Sequence, residues 1–307
     1  MTTSRRKILK TLGFGPTLML APQLSFSQKE KIQPFSFCLN TSTIRGQNPG
    51  LLKYIEIAAK AGYDGIEIWM DDLKKFLADG NTLSQLKDVI NDHGIKVENA
   101  IGFAPWMAQD NEKSRLGFIQ MEEEMQMLSA IGCKRVAAPG IGAEFPVDLM
   151  KAGSQYKALI NLGRKTGVMP QLEFWGAFPP FNHLGQVLMV AAVANDADAR
   201  ILPDIYHLFR GGSGFDGLKL INGAAVEIFH LNDFVGDIPR EKQEDKDRVY
   251  PGDGVAPMQQ ILGDLKQMGG SKVLSLELFN REYWKKDPLE VAKTGLEKMK
   301  NQVDKLG

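Results

Sequence analysis

Eight apolar runs alternate with eight amphipathic runs from Phe35 to the C-terminus. Phe35–Asn40, Gly65–Trp69, Lys96–Phe103, Arg135–Gly140, Met169–Trp175, Ala199–His207, Ala225–Asp233 and Lys272–Phe279 read as buried strands. Asn48–Ala61, Leu83–Asp92, Lys113–Ile131, Asp148–Thr166, Gly185–Asn195, Phe215–Ile221, Pro257–Met268 and Pro288–Val303 read as helices. Gly62, Gly94, Gly132, Gly167 and Gly269 close five of those helices, as a left-handed stop does. Helix, glycine, strand, repeated, is the signature of parallel βα units. Eight such units favour an α/β fold of one domain, a closed (β/α)8 barrel, over an open sheet. A length of 307 residues suits one such barrel. Neither GxGxxG nor GxxxxGKS follows any strand, which argues against a nucleotide-binding sheet. Gly211–Gly214 is glycine-rich but carries no lysine and reads as a loop.

Four of the apolar runs end in ionisable groups. MPQLEFW carries Glu173, ARILPDIYH carries Asp204 and His207, AVEIFHLND carries His230 and Asp233, and KVLSLELF carries Glu277. Charged side chains are seldom fully buried unless they pair or bind metal. In a (β/α)8 barrel the chemistry lies at the C-terminal strand ends. Glu173, Asp204, His230 and Glu277 together would form a three-carboxylate, one-imidazole nest for a divalent cation. Glu67, Trp69, Trp175, Asp233 and Arg281 are expected to line the substrate site beside them. Asp237–Arg248, dense in charge, reads as a solvated loop, with a lid as the other possibility. His183 is expected to cap a helix or meet solvent, and His93 to lie on the surface. Cys38 and Cys133 form neither a CxxC pair nor a zinc spacing and read as small core residues.

Several segments occur together in an order that resembles the xylose isomerase-like TIM barrels, the sugar phosphate isomerase/epimerase group. They are GYDGIEIW, LEFW, the D-x-x-H of Asp204–His207, the H-x-x-D of His230–Asp233, PGDG at Pro251–Gly254, and LELFNREYW. The resemblance runs from about Phe35 to the C-terminus. It implies one divalent metal, Mn2+, Mg2+ or Co2+, held by Glu173, Asp204, His230 and Glu277. It implies that His207 hydrogen-bonds substrate, and that Glu173 and Glu277 exchange the substrate proton from opposite faces. A carboxylate can take a proton next to a carbonyl when a metal stabilises the enediolate that forms. Mainly oxygen donors with one imidazole tilt the metal towards Mn2+.

Residues 1–27 read differently from the rest. Ser4-Arg5-Arg6-Lys7-Ile8-Leu9-Lys10 precedes a short apolar stretch and then Ser25-Phe26-Ser27. This resembles a twin-arginine export signal, which implies a mature domain of residues 28–307 in the periplasm and the twin-arginine machinery as a transient partner. Gly13, Gly15 and Pro16 interrupt the apolar stretch and argue against a spanning helix. Loss of 1–27 removes four basic residues and no acid, leaving 33 basic against 37 acidic residues. That balance lacks the basic surplus of a nucleic-acid binder. An apurinic endonuclease is further disfavoured by the absence of His from the third and fourth strand ends, IGFAPW and VAAPGIG.

The expected function is therefore an exported, metal-dependent sugar isomerase or epimerase acting on a small carbohydrate. An export signal points to free or glycosidic sugars rather than sugar phosphates. A lyase that eliminates from 3-keto-glycosides with the same base, and a non-catalytic sugar-binding barrel, are the alternatives. Such barrels often pair through loops as homo-oligomers, and no segment here compels it.

Overall fold

A computed structural model describes residues 34–307. The expected export signal lies outside the described residues, as does the proposed boundary at residue 28.

Eight parallel strands form the barrel wall. They are β1 (Phe35–Asn40), β2 (Gly65–Trp69), β3 (Lys96–Ile101), β4 (Arg135–Pro139), β5 (Met169–Glu173), β6 (Arg200–Leu202), β7 (Ile228–Leu231) and β10 (Lys272–Leu276). Two further strands, β8 (Asp233–Phe234) and β9 (Arg248–Val249), make a short antiparallel pair outside the wall. Hydrogen-bonded order runs β3-β2-β1-β10-β7 in one arc and β4-β5-β6 in the other. The His230 N–H donates to the Pro203 carbonyl at 3.0 Å and joins β6 to β7.

Helices follow the strands on the outside: α1 (Leu51–Ala61), α2 (Met70–Ala78), α3 (Leu83–Asp92), α4 (Asn111–Ala130), α5 (Leu149–Thr166), α6 (Leu184–Ala194), α7 (Ile205–Arg210), α8 (Met258–Gln267) and α9 (Pro288–Asp304). Their starts are chemically marked. Thr82, Asp110, Asp148 and Asp287 each accept backbone N–H groups of the first turn. Gly62 closes α1 at φ +92°, a conformation costly for any residue with a Cβ.

Three local expectations are corrected. The sixth strand stops at Leu202, because Pro203 has no N–H for the ladder, and Asp204 instead caps α7 by accepting the His207 N–H at 2.9 Å. The helix expected over 215–221 is a short 3-10 turn, Asp216–Leu220. An additional helix, α2, starts directly at the end of β2.

The barrel interior is layered. At the N-terminal ends of the strands, Arg135 binds Glu227 at 2.7 Å and Glu98 at 2.9 Å, and Arg200 binds the other Glu227 oxygen at 2.8 Å. Above this ionic floor sit Cys38, Ala137, Leu202, Ile228 and Val273. The polar residues of the site occupy the next level. Both cysteines are buried and unbridged. Among the described residues, no helix is long and apolar enough to cross a membrane.

Candidate metal and sugar site

His230, on β7, is the centre of the constellation. It is fully buried, and its ring is gripped on both edges. Nε2 lies 3.1 and 3.0 Å from the two oxygens of Glu67 on β2. Nδ1 lies 3.3 Å from Glu277 Oε2, 3.5 Å from Asp204 Oδ2 and 3.7 Å from Glu173 Oε1. The strand ends of β5, β6, β7 and β10 thus converge on one atom. Asp204, His230 and Glu277 each offer a ligand atom within 4.8 Å of the others, close enough to share one ion. Glu173 is not among those three but faces the same nitrogen.

The electrostatics follow from crowding. Burial, together with Glu277, Glu67 and Asp204, pushes Glu173 up to about 8, although His230 opposes the shift. Burial disfavours the charged form of Asp204, but Arg248, His207 and His230 outweigh it and hold the carboxyl well below the usual range. Burial disfavours protonated His230, yet Glu277 and Glu67 raise its pKa well above the ordinary value. Burial pulls His207 down, against Asp204 and with Arg248.

Three expected substrate contacts are reassigned. Glu67 has no exposed surface, so it cannot touch a ligand in the pocket. Its carboxylate accepts from Asn40 (2.8 Å), Asn99 (2.7 Å) and Ser275 (2.6 Å) while holding His230. It lies two residues short of the strand end, one layer beneath Trp69. Asp233 is turned away from the site. It accepts the N–H groups of Phe234, Gly252, Gly254 and Ala256 at 2.8–3.1 Å and clasps the PGDG turn. A Cβ at Gly254 would collide with the Phe234 carbonyl and with Asp233, so that close approach needs glycine. Arg281 is exposed and lines a separate depression with Asp237 and Lys246.

Trp69, Trp175, His207, Glu173 and Glu277 do border one cavity of about 280 Å3 at the barrel mouth. His207 accepts the Gly176 N–H on Nδ1 at 3.3 Å. His183 caps α6, and His93 is exposed, as expected.

Sequence reasoning missed Arg248, Asp245, Asn232 and Asn40. Nη1 of Arg248 donates to Asp204 Oδ2 at 2.9 Å and to Glu277 Oε2 at 2.8 Å, and Nη2 donates to Asp245 at 2.7 Å. The segment expected to be a solvated loop therefore brings a buried guanidinium into the site. Asn232 donates to Asp204 at 3.0 Å and accepts the Tyr206 N–H. Asn40 links Glu67 to Glu277, donating to both. A signal for Asn232 existed: His230 and Asn232 share a parity along the strand, whereas Asp233 has the opposite one.

A family profile described as xylose isomerase-like TIM barrel matches residues 55–302. The chain belongs to that family. Among curated relatives of this xylose isomerase-like TIM barrel are two proteins named inosose isomerase. That of Bacillus velezensis is 30% identical over 277 residues, covering 87% of this chain and 97% of the relative. That of Bacillus licheniformis is 31% identical over 281 residues, covering 87% and 98%. A crystal structure of the IolI protein with a bound zinc atom superposes with a TM-score of 0.82 at 27% identity, over 89% of this chain and 99% of that one.

Proposed function

We propose that this xylose isomerase-like barrel is a divalent-metal-dependent isomerase or epimerase of a keto-sugar or keto-cyclitol. The supporting observation is the convergence of Glu173, Asp204 and Glu277 on one imidazole nitrogen at the mouth of a sugar-sized cavity. The relatives named inosose isomerase point the same way, since an inosose is a ring ketone flanked by hydroxyl-bearing carbons.

The residues fit a cation. Glu173 Oε2 and His230 Nδ1 are buried with no hydrogen-bond partner, and Arg248 alone reaches two of the three carboxylates around the ring, which leaves negative charge for a cation to match. Glu173, Asp204, His230 and Glu277 would hold it. When bound, it would supply positive charge beside the substrate carbonyl and so acidify the neighbouring C–H. Three oxygen donors and one nitrogen keep Mn2+ as our reading, with Zn2+ to be compared because the IolI relative holds it.

The chain's own groups do the rest. Glu173 and Glu277 come from different strand ends and both border the pocket, and in this reading one takes a proton from the substrate and the other returns one to the opposite face. His207 and Arg248 are placed to hold substrate oxygens. We further propose that the Arg5-Arg6 segment exports the protein and that residues 28–307 form the mature enzyme, which favours an unphosphorylated substrate.

The test is proton exchange. Protein reconstituted with Mn2+ or Zn2+ is incubated with an inosose in deuterated water and followed by NMR. Metal-dependent deuterium incorporation next to the carbonyl is expected. Glu173→Gln and Glu277→Gln should each slow it by about 10²–10⁴-fold, the usual worth of a general acid or base. No exchange in any keto-polyol of a broad panel, with stoichiometric metal bound, would reject the enzyme and leave a sugar-binding barrel.

A further inference from the structure

The cavity has two chemically opposite sides. Phe279, Trp69, Phe103 and Trp175 form a continuous aromatic arc, with successive ring centroids 6.0, 5.3 and 5.9 Å apart. The Trp69 indole N–H is already donated to Asn40 at 3.1 Å. Arg45 covers one face of its ring, so Trp69 borders the cavity as apolar surface, suited to the C–H groups of a ring polyol.

Asp245 borders the cavity from the strap between β8 and β9. Its side chain keeps 56% of its exposure, in contrast to the buried carboxylates below. One oxygen accepts from Arg248 Nη2 at 2.7 Å. Charge accounting singles it out. With the proposed divalent cation in place, Glu67, Glu173, Asp204 and Glu277 carry four negative charges against the three positive charges of the cation and Arg248. Asp245 draws on that same Arg248 through Nη2 and adds a fifth carboxylate, so the pocket keeps a net negative charge at its mouth. Two further cations nearby are engaged elsewhere: Arg45 lies 4.1 Å from the Trp69 ring and faces Asp72, and Lys246 is paired with Glu244.

We infer that Asp245 is a specificity-determining residue that admits uncharged ring polyols, accepting one of their hydroxyls, and turns away phosphorylated ones. A phosphate brought against this surplus of negative charge in a partly desolvated pocket meets a repulsion that water screens poorly. The inference rests on the isomerase reading and narrows its substrate class.

Inhibition of inosose exchange by myo-inositol and by myo-inositol 1-phosphate tests it, in the metal-loaded wild type and in Asp245→Asn. The asparagine oxygen can still accept from Arg248, so the variant removes charge and spares the anchor. Wild type should be inhibited at least tenfold more strongly by the neutral polyol. In the variant that ratio should fall at least fivefold, with the metal dissociation constant unchanged by calorimetry. An equal response of wild type to both polyols overturns the inference, and so does an unchanged ratio in the variant. Absence of inosose exchange in wild type would instead remove the isomerase reading and the inference with it.

Discussion

Glu67 and Glu277 are both strand-borne glutamates, yet depth separates their roles. Glu277 follows the last residue of β10 and borders the cavity, whereas Glu67 sits inside β2, beneath the site. Its four hydrogen-bonding neighbours hold it ionised: burial opposes the charge, but His230 and the donors from Ser275 and Asn99 bring its pKa below the ordinary value. A carboxylate so placed fixes which imidazole nitrogen faces the cation and makes that nitrogen a better donor. Glu67→Gln is therefore expected to weaken metal binding by about 10–100-fold, with the fold retained. Calorimetric titration of the metal-free protein measures this, and an unchanged dissociation constant would contradict the role. Glu67 and Trp69 share strand parity and differ in layer, which the pattern GIEIW encodes only to a reader who counts back from the strand end.

At the scale of elements, the strap from β8 to β9 delivers Arg248 and Asp245 to the site. Register pairs Asp233 with Val249 and Phe234 with Arg248, and Asn280 binds the Arg248 carbonyl at 3.0 Å. The clasp of Asp233 on four backbone N–H groups holds the strap's far end. Asp233→Ala leaves those donors without their acceptor, at a cost of about 3 kcal/mol. Scanning calorimetry should show Tm lower by about 6–12 °C, at roughly 2–4 °C per kcal/mol for a domain near this size. A shift within error would mean that water replaces the clasp without loss. The strap also marks where sequence reading gave out. Barrel strands and their helices are written in apolar period and glycine stops, so all eight strands were legible, as were His230 and the three carboxylates that meet at its Nδ1. Arg248 was not, because its surroundings are charged and irregular and its burial depends on partners 44 and 29 residues away. Asp204 was legible as a site residue but not as a helix cap, because Pro203 ends its strand early.

For the whole molecule, the Arg5-Arg6 pair and the barrel make separable claims. Replacing both arginines by lysine should leave the full-length protein in the cytoplasm, while the parent is recovered from the periplasm, shortened near Ser27. Fractionation with N-terminal sequencing decides this, and identical location and length for both would refute export by that route. The barrel itself is stopped at one end. Arg135, Arg200, Glu98 and Glu227 knit the strand starts together under an apolar layer. The active chamber is thus a cul-de-sac: a sugar that arrives past the aromatic arc must back out the way it came, and a spent molecule bars the next one until it has gone.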